Sequence, residues 1–330
     1  MPPAKSLNLM WWNAYNFFHF DIDKIAVDRW PKSRSEYEAK CRLVDVAINE
    51  IKAIAGEIDI LCLCEISRVA AEDLRNRLFP GFNVISLDVK INFPTLQVAI
   101  IYPPDRKILS FSECPPITVP DTPRSTRPMA VLDIKMAANS IRIICCHWQA
   151  RIDEENSEDT RYTIAKHLSK LCYDYIKDGH CDSLIIVGDL NEEPFERSLR
   201  ALHAHRYRKR ALTKSHPADH DVKRLHLYNP SWRNLGEQVP SKNYATYGVT
   251  MLGCAGTYYR AAKSTWHNFD QIIVSGGLLS KTPPYIDENE IFVMSCSSFL
   301  TKGLPIQFSY KNSVCKGLSD HLPVLLKINI

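Results

Sequence analysis

The sequence predicts an α/β fold in which two packed mixed β-sheets are covered on their outer faces by helices, an α/β sandwich. Two observations predict it. Apolar runs with strand character alternate with segments of helical periodicity in both halves of the 330-residue chain. Several of these runs are almost continuously apolar, which is typical of strands that are buried on both faces. Sheets of such strands need helices on the outside to exclude water.

Composition favours one globular domain over residues 1–330. The chain is 45% hydrophobic and 24% charged, which are the proportions of an ordinary soluble protein. It contains no low-complexity run, no internal repeat and no long block of one charge, so nothing marks a linker between two domains.

Charge gives a weak indication of the partner. The formal net charge of +4 mildly favours an anionic molecule. The densest basic stretch, residues 205–216, is either a solvated surface loop or a track for a phosphate backbone. The N-terminus lacks the apolar core of a signal peptide, and no later run is long enough to span a membrane.

The 11 cysteines indicate free thiols rather than disulfides. Their number is odd, no CxxC pair occurs, and Cys62, Cys64, Cys145 and Cys146 lie within apolar runs. Small buried thiols in a reducing compartment explain this pattern, so we expect a cytoplasmic protein.

The first half of the chain predicts strands and helices in alternation. Residues 7–13 and 58–65 predict strands that end at Asn13 and Glu65. Between them, residues 33–56 predict a helix that Ser35 caps and Gly56 ends. A second helix is expected over residues 68–78. Short strands with an antiparallel arrangement are then expected at residues 82–87, 96–102, 107–111, 130–136 and 141–148.

The second half of the chain repeats this alternation. Residues 157–177 have apolar side chains at helical spacing, and a strand is expected over residues 183–189. Another helix is expected within residues 193–205. Most of residues 205–262 have the composition of loops, and final strands are expected at residues 269–275 and 322–330.

Six of these strands begin or end close to polar side chains of a similar kind. A single carboxylate or amide in such a place is usually a helix cap or a turn former. Acids next to core strands are costly unless a cation or a hydrogen bond compensates them, and six coincidences favour a shared site. The side chains are Asn13, Glu65, His147, Asp189 with Asn191, Asp270, and Asp320 with His321.

A hard divalent cation explains the mixture of side chains. Mg²⁺ takes oxygen ligands, and Asn13, Glu65 and Asp320 offer such a set. A metal there would polarise a phosphoryl oxygen and stabilise the leaving oxygen. Asp189 is then available to orient or deprotonate an attacking water. Asn191, two residues on in an extended segment, would point to the same face and hold that water or a phosphate oxygen.

Two histidines complete the predicted catalytic site. Asp270 would fix the tautomer of His321 and favour its charged form. An imidazolium there would stabilise the charge that develops on a pentacovalent phosphate. His147 would donate to a phosphate oxygen in the same way.

Other chemistries fit the sequence less well. Residues 317–321, GLSDH, begin like the nucleophile elbow of a serine hydrolase but lack its closing glycine and precede a strand. No GxGxxG follows a strand, and there is no P-loop. His216 and His220 are spaced for zinc, but Pro217 disfavours a helix through them, so loop histidines are the better interpretation.

Taken in order, these motifs resemble those of the endonuclease/exonuclease/phosphatase superfamily, the DNase I-like group. They run from the strand before Asn13 to SDHLPV at residues 319–324 and span nearly the whole chain. The resemblance implies a four-layer α/β sandwich and Mg²⁺- or Mn²⁺-dependent hydrolysis of a phosphoester. It also suggests that Arg127 faces the site and binds phosphate, with a surface ion pair as the alternative. LYNPSW, 227–232, and GTYYR, 256–260, are similar to a bacterial branch whose substrates are generally unassigned.

Some positions depart from individual branches of the superfamily. Several nucleases carry an acidic residue two positions after the asparagine, where this chain has Tyr15, which weakens the case for a second metal. Inositol phosphatases typically carry Trp-Cys-Asp-Arg around the aspartate that matches Asp270, where this chain has HNFDQ. We also find no apolar β-hairpin of the sphingomyelinase kind.

The sequence therefore predicts a metal-dependent phosphodiesterase, and a nuclease before other kinds. A nucleic-acid strand would contact Arg151 along its backbone and stack its bases on Trp148, Tyr207 and Trp232. Two alternatives stay open. In the first, the enzyme hydrolyses a lipid headgroup, a nucleotide or a sugar phosphate instead of nucleic acid. In the second, the chain is a catalytically silent binding module of the same fold.

Overall fold

A computed structural model of the chain describes residues 6–21, 31–87, 98–104, 108–114, 126–136, 139–151, 154–179, 183–212, 225–235, 242–244, 249–251 and 253–330. The strands, in chain order, are β1 (Ser6–Phe17), β2 (Ile60–Ile66), β3 (Asn83–Ser86), β4 (Val98–Tyr102), β5 (Ile108–Cys114), β6 (Met129–Met136), β7 (Asn139–His147), β8 (Ser183–Asp189), β9 (Ala204–His205), β10 (Leu227–Tyr228), β11 (Lys242–Tyr244), β12 (Val249–Met251), β13 (Tyr258–Arg260), β14 (Thr265–His267), β15 (Asp270–Ser275), β16 (Tyr285–Val293), β17 (Leu300–Thr301), β18 (Leu304–Pro305), β19 (Ser309–Lys311), β20 (Val314–Lys316) and β21 (Val324–Asn329). The α-helices are α1 (Arg34–Ala55), α2 (Arg68–Leu78), α3 (Glu154–Lys177), α4 (Arg197–Ala201) and α5 (Arg208–Leu212). Short 3₁₀ turns lie at Pro230–Asn234, Ala261–Lys263, Gly276–Leu279 and Ser297–Phe299.

Most of the strands form two large mixed sheets. The first has six strands in the order β16-β21-β1-β2-β4-β3, in which only β1 and β2 are parallel neighbours. The second has seven strands in the order β5-β6-β7-β8-β15-β10-β9, with parallel pairs β7–β8 and β9–β10. The other described strands pair as two-stranded hairpins.

Three apolar clusters show how the layers stack. One joins the inward-facing residues of both sheets, such as Trp11 and Ile100 of the first and Ile143 and Ile272 of the second. Another lies between the first sheet and helices α1 and α2. The third lies between the second sheet and helices α3 and α4. The order helix, sheet, sheet, helix confirms the predicted four-layer α/β sandwich.

Helix α1 shows how the apolar pattern positions an outer layer. The Ser33 side chain caps it by accepting a hydrogen bond from the Glu36 backbone N–H at 3.3 Å. The prediction of Ser35 as the cap is wrong, because Ser33 holds the extended position just before the first turn. Val44 and Ile48, four residues apart, are buried against the first sheet.

The described elements differ from the prediction in several places. Strand β1 continues beyond Asn13 to Phe17, with an irregular register against β2 between these two residues. The pairs β3–β4, β5–β6 and β6–β7 are antiparallel as expected, but the run is divided, with β3 and β4 in the first sheet and β5 to β7 in the second. The helix expected within residues 193–205 is only the five-residue α4, because Ala204 and His205 already pair with β10.

Several expectations concern the whole chain. Every cysteine whose side chain the structure describes is a free thiol, and all of these except Cys315 are buried. Within the described ranges, no helix combines the length and apolar character needed to cross a membrane. The zinc alternative at residues 216–220 and the end of the basic stretch, residues 213–216, lie outside the described residues. A single domain over residues 1–330 and a cytoplasmic location stay predictions.

Candidate active site

The register of the second sheet places three of the predicted residues side by side. Strand β8 lies between β7 and β15. Its last residue, Asp189, is the direct partner of His147 in parallel β7 and of Asp270 in antiparallel β15. All three residues are buried. Residues that are distant in the chain meet because neighbouring strands reach the same edge of the sheet.

The first sheet brings two more residues to the same place. Asn13 of β1 pairs with Cys64 of β2, and Glu65 is the next residue. The Asn13 Nδ2 atom donates to Glu65 Oε1 at 3.3 Å and to Asp189 Oδ2 at 3.0 Å. One amide therefore links a carboxylate of the first sheet to a carboxylate of the second.

The backbone around these two residues has an uncommon conformation. Glu65, Tyr15 and Asn16 have φ angles of +55°, +48° and +47°, in the left-handed region that non-glycine residues rarely adopt. Glu65 Oε2 accepts a hydrogen bond from the Asn16 N–H at 3.0 Å, and Asn13 Oδ1 accepts one from the Tyr15 N–H at 3.0 Å. These bonds hold the strained turn, and strain of this kind concentrates at functional sites.

His321 and Asp270 form a buried pair. His321 Nδ1 lies 2.7 Å from Asp270 Oδ2, and Trp11 Nε1 donates to Asp270 Oδ1 at 2.9 Å. Burial alone would lower the pKa of His321, but the Asp270 and Asp189 carboxylates raise it to about 10. The imidazole is therefore protonated at neutral pH, and its Nε2 atom lies 3.8 Å from Asp189 Oδ2.

Asp189 lies at the centre of the site. Its Oδ2 atom is 3.8 Å from the Nε2 atoms of both His147 and His321. Burial raises the pKa of Asp189 to about 6, although the charge of His321 opposes this rise. A carboxylate with a pKa near neutrality can accept a proton from water and release it again.

His147 is a neutral member of the site. Burial lowers its pKa well below the ordinary value, and the charges of Arg127 and His321 act in the same direction. Its Nε2 atom is 3.8 Å from Glu65 Oε1. Its Nδ1 atom is buried and has no hydrogen-bond partner among the residues that the structure describes.

Arg127 brings a positive charge to the same carboxylates. Its Nη1 atom donates to the Trp148 carbonyl at 3.0 Å. Burial lowers the pKa of Arg127, while the Glu65 and Asp189 carboxylates raise it. The guanidinium therefore interacts with one acid of each sheet. The binding of phosphate by Arg127 and His147 stays a prediction.

Asn191 reaches the site through a turn and not through the extended strand that we expected. Strand β8 ends at Asp189, and Asn191 has a φ angle of +50°. Its backbone N–H donates to Asp189 Oδ1 at 3.1 Å, and its Nδ2 donates to the Trp148 carbonyl at 3.2 Å. The predicted same-face alternation is wrong because the chain turns directly after Asp189. Asp189 therefore both makes the turn and faces the site.

Asp320 has one carboxylate oxygen that is satisfied and one that is not. Its Oδ2 atom accepts a hydrogen bond from Gln307 Nε2 at 2.7 Å. Its Oδ1 atom is buried without a hydrogen-bond partner in the part of the chain that the structure describes. Burial raises the pKa of Asp320, and the Glu65 carboxylate adds to the rise. A buried, unpaired carboxylate oxygen near a second acid is costly unless a cation binds there.

This donor set fits a hard divalent cation held by Glu65 and Asp320. Carboxylate oxygens predominate, as Mg²⁺ and Mn²⁺ prefer. Asn13 directs Nδ2 towards the carboxylates and Oδ1 towards the Tyr15 N–H. Its assignment as a third oxygen ligand therefore stays a prediction that requires this amide to change partners.

A second combination of side chains in the same site fits a metal less well. Asp189, Asp270 and His321 each place one possible ligand atom within 4.8 Å of the others. However, His321 has a pKa of about 10 and is engaged with Asp270 through Nδ1. A protonated imidazole has no lone pair for a metal, so this group fits a metal less well than Glu65 and Asp320 do.

Lys40 is a residue of the site that the sequence analysis missed. Its side chain is fully buried on α1, and its Nζ atom donates to the Tyr15 carbonyl. Burial lowers the pKa of Lys40 to about 7, against the opposing effects of Glu65 and Asp320. A signal was present in the sequence, because position 40 belongs to the buried face of α1, where lysine is unusual.

Aromatic rings border His321 on one side. The centroids of the Tyr258 and His321 rings are 4.5 Å apart. Tyr258 stacks on Phe269 at 5.3 Å, and Phe269 stacks on His267 at 4.6 Å. The Tyr259 N–H donates to the Asp320 carbonyl at 3.0 Å, which fixes β13 against the site. The GTYYR motif therefore contributes a ring to the site.

Three residues considered for substrate contact or catalysis have structural contacts instead. Trp148 is only 1% exposed, so its expected stacking on a base is wrong. Arg151, which follows β7, donates to the Asn191 carbonyl at 2.8 Å and forms an ion pair with Glu196 in the loop between β8 and α4. The Ser319 hydroxyl donates to the Asn13 carbonyl at 2.8 Å, which agrees with the rejection of a serine nucleophile.

The model of the endonuclease/exonuclease/phosphatase family matches residues 26–330 of this sequence. The chain belongs to this family. Members of the family are metal-dependent phosphoesterases. A search of curated proteins finds no match to the chain. The bacterial branch of unassigned substrate stays a prediction.

Solved structures share the fold at low sequence identity. A humanized D. rerio TDP2 aligns over 98% of this chain and 99% of its own, with a TM-score of 0.56 and 12% identity. The human Nocturnin catalytic domain aligns over 98% of this chain and 94% of its own, with a TM-score of 0.53 and 16% identity. The mannosyl-6-phosphatase Bt3783 of Bacteroides thetaiotaomicron aligns over 98% of this chain and 100% of its own, with a TM-score of 0.56 and 12% identity. These similarities establish the fold, and the substrate is a separate question.

Proposed function

We propose that this family member is a divalent-metal-dependent phosphodiesterase that hydrolyses nucleic acid by in-line attack of an activated water. The observation that carries the proposal is the bridge between the two sheets. Asn13 joins Glu65 to Asp189 at 3.3 and 3.0 Å, and the His321 imidazolium lies 3.8 Å from Asp189. A silent binding module has no need for a buried acid and an imidazolium at this spacing.

Glu65 and Asp320 are the residues that would hold Mg²⁺ or Mn²⁺, with Asn13 as the third ligand. The bound ion supplies positive charge to a phosphoryl oxygen and to the leaving oxygen. The open Oδ1 atom of Asp320 supports this assignment, because a cation would satisfy it.

Asp189 and His321 carry the proton and charge chemistry in this proposal. Asp189 accepts the proton of the attacking water, and its pKa of about 6 leaves it ionised at neutral pH. The water oxygen forms a bond to phosphorus as the bond to the leaving oxygen breaks. The His321 imidazolium, held by Asp270 at 2.7 Å, stabilises the negative charge on the phosphoryl oxygens. Asn191 and His147 would donate to the same oxygens.

An exposed group of aromatic and basic side chains favours nucleic acid as the substrate. This surface, the Phe195 patch, consists of Phe195, Arg206, Tyr207 and Trp232. Phe195 is 48% exposed and Tyr207 is 54% exposed. The rings of Phe195 and Trp232 are 6.3 Å apart, and the Arg206 guanidinium lies 4.7 Å from Tyr207 and 5.7 Å from Trp232. Stacking rings beside an arginine bind bases and backbone without sequence preference.

One member of the Phe195 patch, Phe195 itself, lies on the loop that follows Asp189. Phe195 follows Asp189 and Asn191 in the turn between β8 and α4. We therefore expect a nucleic-acid strand that is bound at Asp189 to reach the rings of the patch. The predicted contributions of Tyr207 and Trp232 to binding are kept in this proposal, and Phe195 and Arg206 are added.

The proposal is tested with a substrate panel. Purified protein is incubated with single- and double-stranded DNA, RNA, sphingomyelin, inositol and sugar phosphates, and an aryl phosphodiester, in the presence of Mg²⁺, Mn²⁺ or EDTA. We expect Mg²⁺-dependent cleavage of nucleic acid and of the aryl phosphodiester, and no hydrolysis by Glu65→Ala. The KM for nucleic acid should rise steeply with salt, because phosphate contacts release counterions.

Controls separate the two parts of the proposal. Tyr207→Ala should raise the KM for nucleic acid but leave hydrolysis of the aryl phosphodiester unchanged. Tyr175→Ala is the matched control, because Tyr175 also stacks on an arginine, Arg142, at 3.8 Å but belongs to no part of the patch. Hydrolysis of only the small phosphate esters would overturn the nucleic-acid assignment. Failure to hydrolyse any phosphoester with either metal would overturn the proposal that the chain is an enzyme.

A further inference from the structure

Three histidines meet at the outer edge of the seven-stranded sheet. His205 lies in the edge strand β9, which pairs in parallel with β10, and His226 directly precedes β10. Ala204 and Leu227 pack in the apolar cluster beneath α3. Because side chains alternate along strands, His205 and His226 point to the opposite face. His203 joins them from the turn after α4, where it has a φ angle of +59°.

The distances between these imidazoles suit a single ion. One ring nitrogen of each histidine lies within 4.8 Å of those of the other two. His205 Nε2 and His226 Nδ1 are 3.1 Å apart. Zinc–nitrogen bonds of about 2.0–2.1 Å at tetrahedral angles separate two ligand nitrogens by roughly 3.4 Å. Small rotations of the rings would therefore bring all three nitrogens into coordination.

The chemistry of the cluster selects a different ion from the catalytic site. All three ligands are imidazoles, which suit zinc, cobalt, nickel and copper and do not suit Mg²⁺. Burial lowers the pKa of His205 to about 4, and His226, Arg210 and His203 add to this effect. His205 is therefore neutral at physiological pH and can offer a lone pair. His203 and His205 are partly exposed, which leaves a path for an ion.

We propose that His203, His205 and His226 form a second metal site that binds a divalent transition-metal ion such as Zn²⁺. Three protein ligands leave a fourth tetrahedral position for water or an added ligand. The ion would tie the two-residue edge strand β9 to β10 and so brace the segment that carries Arg206 and Tyr207. This site is separate from the catalytic carboxylates, and it does not depend on the proposed hydrolysis.

The test measures Zn²⁺ binding to the EDTA-treated and dialysed full chain. Equilibrium dialysis with Zn²⁺ is carried out in millimolar Mg²⁺, which occupies the oxygen-donor site. Wild type is compared with His203→Gln, His205→Ala and His226→Ala, and His167→Ala on α3 is the matched histidine control. We expect wild type and the control to hold one tight equivalent that the three variants lose. Glu65→Ala should keep it, which separates this site from the catalytic site.

Two further readouts make the result specific. Co²⁺ in place of Zn²⁺ should give wild type the visible absorption of a tetrahedral nitrogen site, and the three variants should lose it. Zn²⁺ should raise the thermal midpoint of wild type by ~2–5 °C and leave the variants unchanged, because only a bound ion stabilises the folded state. Circular dichroism checks that each variant is folded. Equal Zn²⁺ binding by wild type and folded His203→Gln, or no tight binding by wild type, would overturn the proposal and leave a hydrogen-bonded histidine pair.

Discussion

Replacement of Asp270 by asparagine tests the electrostatic basis of the proposed mechanism. Asp270 lies 2.7 Å from His321 Nδ1 and is the largest contributor that raises the pKa of this imidazole to about 10. Asparagine keeps the shape of the side chain and removes its charge. Without the charge, the pKa of His321 should fall towards the ordinary value near 6.5.

The expected loss of turnover follows from the protonated fraction of His321. A histidine with a pKa near 6.5 is about 24% protonated at pH 7 and about 3% at pH 8, whereas wild-type His321 is almost fully protonated at both. Turnover should therefore fall about 4-fold at pH 7 and about 30-fold at pH 8 from protonation alone. In the variant, burial still lowers this pKa and the Asp189 carboxylate still raises it, so the two remaining effects oppose each other around the ordinary value.

The assay is the pH dependence of kcat between pH 6 and 9, with an aryl phosphodiester and saturating Mg²⁺. Asp133→Asn is the matched control, because Asp133 is a buried carboxylate of the same sheet that pairs with Arg142 and lies outside the site. The loss in Asp270→Asn should grow with pH, and the control should keep the wild-type profile. An equal loss at every pH, or full activity at pH 8, would refute the reasoning.

Three other substitutions test separate parts of the molecule. Glu65→Ala should abolish Mg²⁺-dependent hydrolysis and weaken Mn²⁺ binding in calorimetry, and an unchanged affinity would contradict its role as a ligand. Gly188→Ala should lower the free energy of unfolding in urea by about 2–3 kcal/mol, because a Cβ at Gly188 would lie 2.2 Å from the Cys146 carbonyl oxygen. Arg142→Met should cost about 3–5 kcal/mol by the same measurement, since it leaves the Asp133 carboxylate without the guanidinium that it contacts at 2.5 and 2.6 Å. Adding Asp133→Leu should recover most of that loss, and no recovery would contradict the pairing argument.

The polar residues of the site could be found from the sequence because each leaves a local signal. A carboxylate directly after an apolar run, such as Glu65 or Asp189, is visible without any knowledge of the fold. The spatial order of the strands leaves no such signal. Nothing in the sequence states that β8 lies between β7 and β15, and that order alone places His147 and Asp270 beside Asp189.

The edge strand β16 was missed because its pattern is interrupted. Its register against β21 is irregular between Ile286 and Ile291, and the residues between them are polar or acidic. Irregularities and charges protect an exposed sheet edge from pairing with another chain. The same features remove the alternation on which strand prediction depends.

The position of Asn191 and the presence of Lys40 in the site could not be predicted, for two different reasons. The position of Asn191 was inferred from strand geometry, but the left-handed turn after Asp189 sets it instead. The turn contains no glycine after Asp189, and Asn191 itself takes the left-handed position, which asparagine adopts more readily than most residues. Lys40 lies on a helix far from any motif, and only the packing of α1 on the first sheet brings it to Glu65 and Asp320.

The charges gathered at the site favour the binding of a divalent cation. Four carboxyl groups and three basic groups meet there, namely those of Glu65, Asp189, Asp270 and Asp320, and those of Lys40, Arg127 and His321. Lys40 is only partly charged at neutral pH, since burial lowers its pKa to about 7, so the acids prevail. A phosphodiester is an anion and is repelled by such a pocket. If Glu65 and Asp320 hold a divalent cation, as we propose, the balance would become positive, and the binding of substrate and its activation would depend on the same ion.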